Sequence, residues 1–118
     1  MAMLDWNEYR RQVHAGVGDL GKLSPGTVKG YAGLGTAGQA HDLLGAKMRE
    51  LIALAVAVTV RCDGCIAVHT DAAVKAGATR EEIAEALGVA IAVNAGAALV
   101  FSTRTLDAYA ATVAASST

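Results

Sequence analysis

The sequence predicts an all-α fold: a compact bundle of about six helices, one domain over residues 1–118, assembling into oligomers. Three observations lead there. No stretch shows the period-two alternation of a half-buried strand, and turn pairs such as Asn-Gly are missing. Helix start and stop signals recur along the whole chain. Hydrophobic residues make up 53% of the sequence but aromatics only 4%, so the core must be built from Ala, Val, Leu and Ile.

Asp5 caps a first helix over about residues 6–15, with Glu8 at the capping-box position. Residues 16–23, with three glycines, read as loop, ended by Ser24-Pro25, where Ser caps and Pro opens the next helix. That second helix carries Gly26, Gly30, Gly33, Gly35 and Gly38 and is expected to break before Leu43-Leu44. A third runs over residues 45–60; beyond Glu50 it is apolar all round, which predicts a central, buried helix. Residues 61–64 make a turn or a tight helix start. A fourth helix covers about residues 65–76, with Gly77 as its left-handed stop. Thr79 and Glu82 form a capping box for a fifth helix over residues 80–93. Asn94-Ala95-Gly96 is expected to interrupt it, with a last helix over residues 97–111.

Composition excludes several functions. The formal net charge is −1 and no basic block exceeds Arg10-Arg11, so the footprint of a nucleic-acid binder is missing. No basic amphipathic stretch suggests a membrane surface. The longest apolar run, residues 86–101, is broken by Asn94 and falls short of the roughly 20 residues that span a bilayer. It reads as a buried helix pair. The first residues have neither a basic nor an apolar signal region, so a cytoplasmic protein is expected. Two cysteines spaced C-x-x-C in that compartment point to redox or metal chemistry.

The chemistry concentrates between Glu50 and His69. At 100° per residue, Cys65 lies about 60° and His69 about 20° from Cys62, so the three share one helical face. Thiols at a helix start favour the thiolate, and an imidazole one turn on can accept the thiol proton. If the third and fourth helices form a hairpin near Arg61, Glu50 and His69 differ in height by only about 4.5 Å. A side chain and a water bridge such a gap.

At these residues the chain resembles the alkyl hydroperoxide reductase D-like (AhpD-like) branch of the carboxymuconolactone decarboxylase family. Glu50, Cys62, Cys65 and His69 match its signature: Glu, eleven residues, Cys-x-x-Cys, three residues, His. The flanks at residues 47–54, 76–83 and 94–100 are similar as well. The resemblance implies a helical subunit in trimers or hexamers, with a pocket near the cysteines. It implies that Cys65 attacks a hydroperoxide, Cys62 resolves the sulfenic acid to a disulfide, and His69 with Glu50 relays the proton. It implies a dithiol or disulfide-reductase electron donor and no cofactor or metal. One departure stands out: the best-known peroxidases of the branch have a histidine where this chain has Gly64.

Other readings stand beside this one. The cysteines also read as buried small hydrophobes, or with His69 and Glu50 as a zinc site. A disulfide oxidoreductase without strong peroxidase turnover and a non-redox decarboxylase-like enzyme are the functional alternatives. Residues 33–38 match G-x-G-x-x-G, but no strand precedes them, so a dinucleotide site is not expected. His14 and His41 read as surface or capping residues, and Trp6, Tyr31 and Tyr109 as core or interface packing.

Overall fold

The computed structural model describes residues 2–117. In order, the helices are α1 (Trp6–Leu23), α2 (Pro25–Thr36), a 3₁₀ turn (Ala37–Ala40), α3 (Gly45–Val60), α4 (Asp63–Lys75) and α5 (Arg80–Ser116). No strand occurs among the described residues.

Each boundary has a local cause. The Asp5 carboxylate accepts the Glu8 N–H at 3.2 Å and opens α1. Pro25 occupies the first turn of α2. At the end of α3 the backbone of Arg61 turns left-handed (φ 58°), and the N–H groups of both Arg61 and Cys62 reach the Ala57 carbonyl. Gly77 takes φ +88° after α4, where glycine carries no Cβ penalty, and its N–H bonds the Val74 carbonyl at 3.0 Å. The capping box of α5 forms in both directions: Glu82 N–H to Thr79 Oγ1 at 3.1 Å, and Thr79 N–H to Glu82 Oε1 at 2.9 Å.

Helix α3 is the hub. It packs against α4 and α5, while α1 lies on α4 and forms a hairpin with α2. The buried apolar residues among those described are Leu51, Leu54 and Ala57 of α3, Ala67 and Ala73 of α4, and Ala90 of α5. Most are alanines, which let helix backbones approach closely where few large side chains exist to fill space.

Several expectations are corrected. Residues 16–23 are helical, because glycines only weaken a helix by up to ~1 kcal/mol each while the first proline comes at position 25. The chain does not break at residues 94–96. Asn94 turns its amide back on the Ala90 carbonyl (2.8 Å) and across to Thr59 Oγ1 (2.9 Å), so α5 continues and five helices stand where six were expected. The buried helix pair over residues 86–101 is therefore one helix, largely exposed. By length and composition α5 is long and apolar enough to cross a membrane. Helix α3 is central but buried on one face only; Ile52, Val56 and Val60 are exposed. Nor is the subunit compact. Its radius of gyration is 20.0 Å, against about 13–14 Å for a globular chain of this length. The distal end of α5 stands away from the helices that bury the core.

Candidate functional site

The hairpin of α3 and α4 positions the four residues singled out in the sequence. Cys62 has extended backbone (φ −104°, ψ 99°) and is the N-cap of α4, whose first residue, Asp63, comes two positions before Cys65. Its Sγ accepts the backbone N–H of Cys65 at 3.1 Å, as a Ser or Asp oxygen does at other helix starts. Cys62 and Cys65 are joined as a disulfide, with Cα atoms 5.2 Å apart. Both are half-buried, at the positive end of the α4 dipole.

One turn past Cys65, His69 Nδ1 lies 2.7 Å from Glu50 Oε2. The expected water is not needed, because the long glutamate side chain closes the small offset between the helices. An ionised Glu50 only accepts, so Nδ1 donates to it and Nε2 carries the lone pair. The carboxylate thus fixes ring and tautomer, and leaves a base one turn from the second thiol. Glu50 and His69 side chains are 25% and 30% exposed, so solvent protons reach the pair.

Helix α1 covers one flank. A Cβ at Gly64 would stand 3.5 Å from Val13 Cγ2, an ordinary contact, so Val13 of α1 neighbours the position between the cysteines. Arg10 pairs with Asp71 of α4 at 3.8 Å. The hydrogen bond from Lys75, then the charges of Arg10, Lys75 and His14, hold the Asp71 carboxyl below the usual carboxylate range. Neither Val13 nor Asp71 was marked in the sequence. The glycine between the cysteines was the available signal for Val13.

Two adjoining apolar grooves lie between α3 and α5, lined among others by Met48, Ile52, Ala55, Val89 and Val93. Ile52 stands about 200° around α3 from Glu50, so these grooves are on the far side of the helix from the thiols. A third runs between α1 and α4, past Trp6, Arg10, Ile66 and Thr70.

The remaining candidates are absorbed by packing. Residues 33–38 close α2 and enter the 3₁₀ turn. There Gly38 lies under Arg49, whose Cδ would be 3.1 Å from an added Cβ and whose guanidinium bonds Asp42 at 2.8 Å. Trp6 meets Tyr9 edge to face, while Tyr31 and Tyr109 are exposed and belong to no core of this chain. His14 and His41 are both exposed. Among the described residues no three His, Cys, Asp or Glu side chains converge as a metal-binding group.

Known proteins resemble this chain in sequence and fold. The sequence pattern of the carboxymuconolactone decarboxylase family matches residues 25–108. An uncharacterized protein of Haemophilus influenzae is 51% identical over 105 residues, covering 89% of this chain and 93% of that one. One from Cupriavidus necator is 33% identical over 95 residues, covering 80% and 84%. The crystal structure of an apo carboxymuconolactone decarboxylase family protein from Legionella pneumophila matches with a TM-score of 0.71. It is 33% identical in sequence, with 81% of this chain and 86% of that chain covered. With the family pattern spanning α2 to most of α5, and relatives matching along most of their length, the chain belongs to the carboxymuconolactone decarboxylase family.

Proposed function

We propose that the chain is a thiol-dependent antioxidant enzyme of the alkyl hydroperoxide reductase D-like branch, reducing hydroperoxides in the cytoplasm. The supporting observation is a C-x-x-C pair at a helix start with a Glu50-oriented His69 one turn on. In the reduced enzyme His69 takes the Cys65 proton. The Cys65 thiolate attacks the terminal peroxide oxygen, the O–O bond breaks, and the alkoxide leaves with that proton as an alcohol. Cys65 is then a sulfenic acid. Cys62, as its thiolate, attacks Cys65 Sγ, and the hydroxyl departs as water on protonation. A dithiol or a disulfide reductase returns two electrons.

Gly64 favours a second reading, disulfide exchange without strong peroxidase turnover. It carries no acid or base between the cysteines. Reduced protein titrated with an alkyl hydroperoxide separates the two. Loss of two thiols per peroxide, abolished by Cys65→Ser, is expected. Thiols inert to peroxide but lost to a small disulfide would install the second reading. Turnover that survives replacement of both cysteines would mean a non-redox enzyme.

The working particle is a homo-oligomer, a trimer or hexamer by resemblance to the branch. Exposed Leu99, Phe101, Leu106 and Tyr109 on α5 support it. A membrane-spanning α5 would have to use its uncharged stretch, residues 86–103, which includes the buried Ala90 and the Asn94 bonded to α3. Spanning would strip α5 from the hub. Association between copies leaves that contact intact.

A further inference from the structure

The residue that precedes Cys62 is unusual in its backbone. Arg61 holds φ 58° and ψ 52° at the end of α3, a conformation that glycine adopts freely and a residue with a Cβ adopts at a cost. Two N–H bonds to the Ala57 carbonyl fix it there. Its side chain is exposed and makes no hydrogen bond, ion pair or ring contact among the described residues. Asp63, the other charge beside Cys62, sits in the first turn of α4, where a negative charge suits the helix dipole. On one flank Val13 lies against Gly64, and the Glu50–His69 pair stands one turn beyond Cys65. An exposed, unpaired guanidinium is thus carried by the residue next to Cys62, on a backbone held left-handed.

We propose that Arg61 is a specificity-determining residue for the electron donor and selects a thiol that bears a carboxylate near its sulfur. The proposal rests on the redox reading above. The incoming thiolate attacks Cys65 Sγ and the S–S electron pair passes to Cys62, whose Sγ already accepts the Cys65 N–H. A mixed disulfide on Cys65 results. A second thiol of the same class attacks the donor's sulfur, releasing Cys65 as a thiolate and leaving the oxidised donor as its disulfide. The two cysteines gain two electrons and take up two protons from solvent. Through both attacks the donor carboxylate stays near the guanidinium.

The test uses the full-length oxidised protein and follows the appearance of its thiols with 3-mercaptopropionate, an anionic donor, and 2-mercaptoethanol, a neutral one. The readout is the ratio of the two rates, compared between wild type and variant, so that the donors' intrinsic reactivities cancel. In Arg61→Gln the ratio is expected to fall roughly threefold at low salt, the effect of one unit charge about 7 Å away in water. Arg61→Lys should restore most of it. The wild-type advantage should fade at about 0.5 M salt. An unchanged ratio overturns the proposal, as does equal slowing with both donors, which would place Arg61 on the leaving thiolate. A role confined to balancing the α3 dipole would lower the thermal midpoint and leave the ratio alone, which overturns it as well. A disulfide that neither thiol reduces in any variant would remove the redox reading itself, and this selectivity with it.

Discussion

The two halves of α5 have similar shares of hydrophobic residues and opposite circumstances. Residues 80–96 begin at a complete capping box, bury Ala90 against α3 and tie Asn94 to Thr59. Residues 97–116 are exposed throughout. In the proximal half a side-chain amide reaches another helix. In the distal half the hydroxyls of Ser102, Thr103 and Thr112 turn back on carbonyls of their own helix, at 2.6, 2.7 and 2.9 Å. Arg104 likewise stacks locally on Phe101, 4.8 Å from the ring centre. These polar groups of the distal half are therefore engaged within the helix itself, beside exposed Leu99, Leu106 and Val113. Hydrophobicity alone does not decide which half joins the core; a small residue and a cross-helix amide do.

The largest expected effect is on assembly. Light scattering at micromolar concentration should give a multiple of the 12.0 kDa chain for the wild type, and Leu106→Glu should collapse it to one chain. A wild-type mass of one chain would mean that the distal half is simply a solvated helix. Next comes packing. In the monomeric Leu106→Glu background, Ala90→Leu should destabilise by about 1–3 kcal/mol, because it overfills a closed contact. Ala98→Leu should stay within about 0.5 kcal/mol. Equal denaturant midpoints would erase the distinction between the halves.

The smallest effect concerns the anchored end. Thr79→Ala should cost about 1 kcal/mol by removing half of the capping box. The pH dependence follows from Glu82, whose carboxyl is held below the usual carboxylate range by the Lys47 hydrogen bond first and the Thr79 backbone next. A carboxyl depressed in the folded state stabilises above its unfolded pKa, and that advantage is lost as pH falls through the folded value. The melting-temperature gap between wild type and Glu82→Gln should therefore hold near neutrality and close on the acid side of the ordinary carboxylate range. A gap that widens in acid would contradict the sign.

Much of this was legible in the sequence because its signals are local. The starts at Asp5, Pro25 and Thr79 and the stop at Gly77 each depend on a few neighbouring residues, and all four appear where they were read. The meeting of Glu50 and His69 followed from rise per residue and a hairpin. What failed depends on partners distant in sequence. Asn94 looks like a breaker until Thr59, 35 residues away, accepts its amide. Residues 16–23 look like loop when glycines are counted without asking what else would satisfy their backbone groups. The all-round apolar pattern of α3 hid that one of its faces meets no neighbour in this chain.

Cys62 has a consequence for how such a fold can change over generations. One sulfur both starts α4 and forms half of the disulfide. A single change to serine would remove the sulfur and keep an oxygen at the cap, a residue type that starts helices well. Architecture and reaction are therefore separable by one substitution at this position, in one direction only. A descendant can lose the redox chemistry and keep its helix start, whereas a change to alanine would lose both. The fold can outlive the reaction, and a family built on it is free to hold members whose helices agree while their chemistry does not.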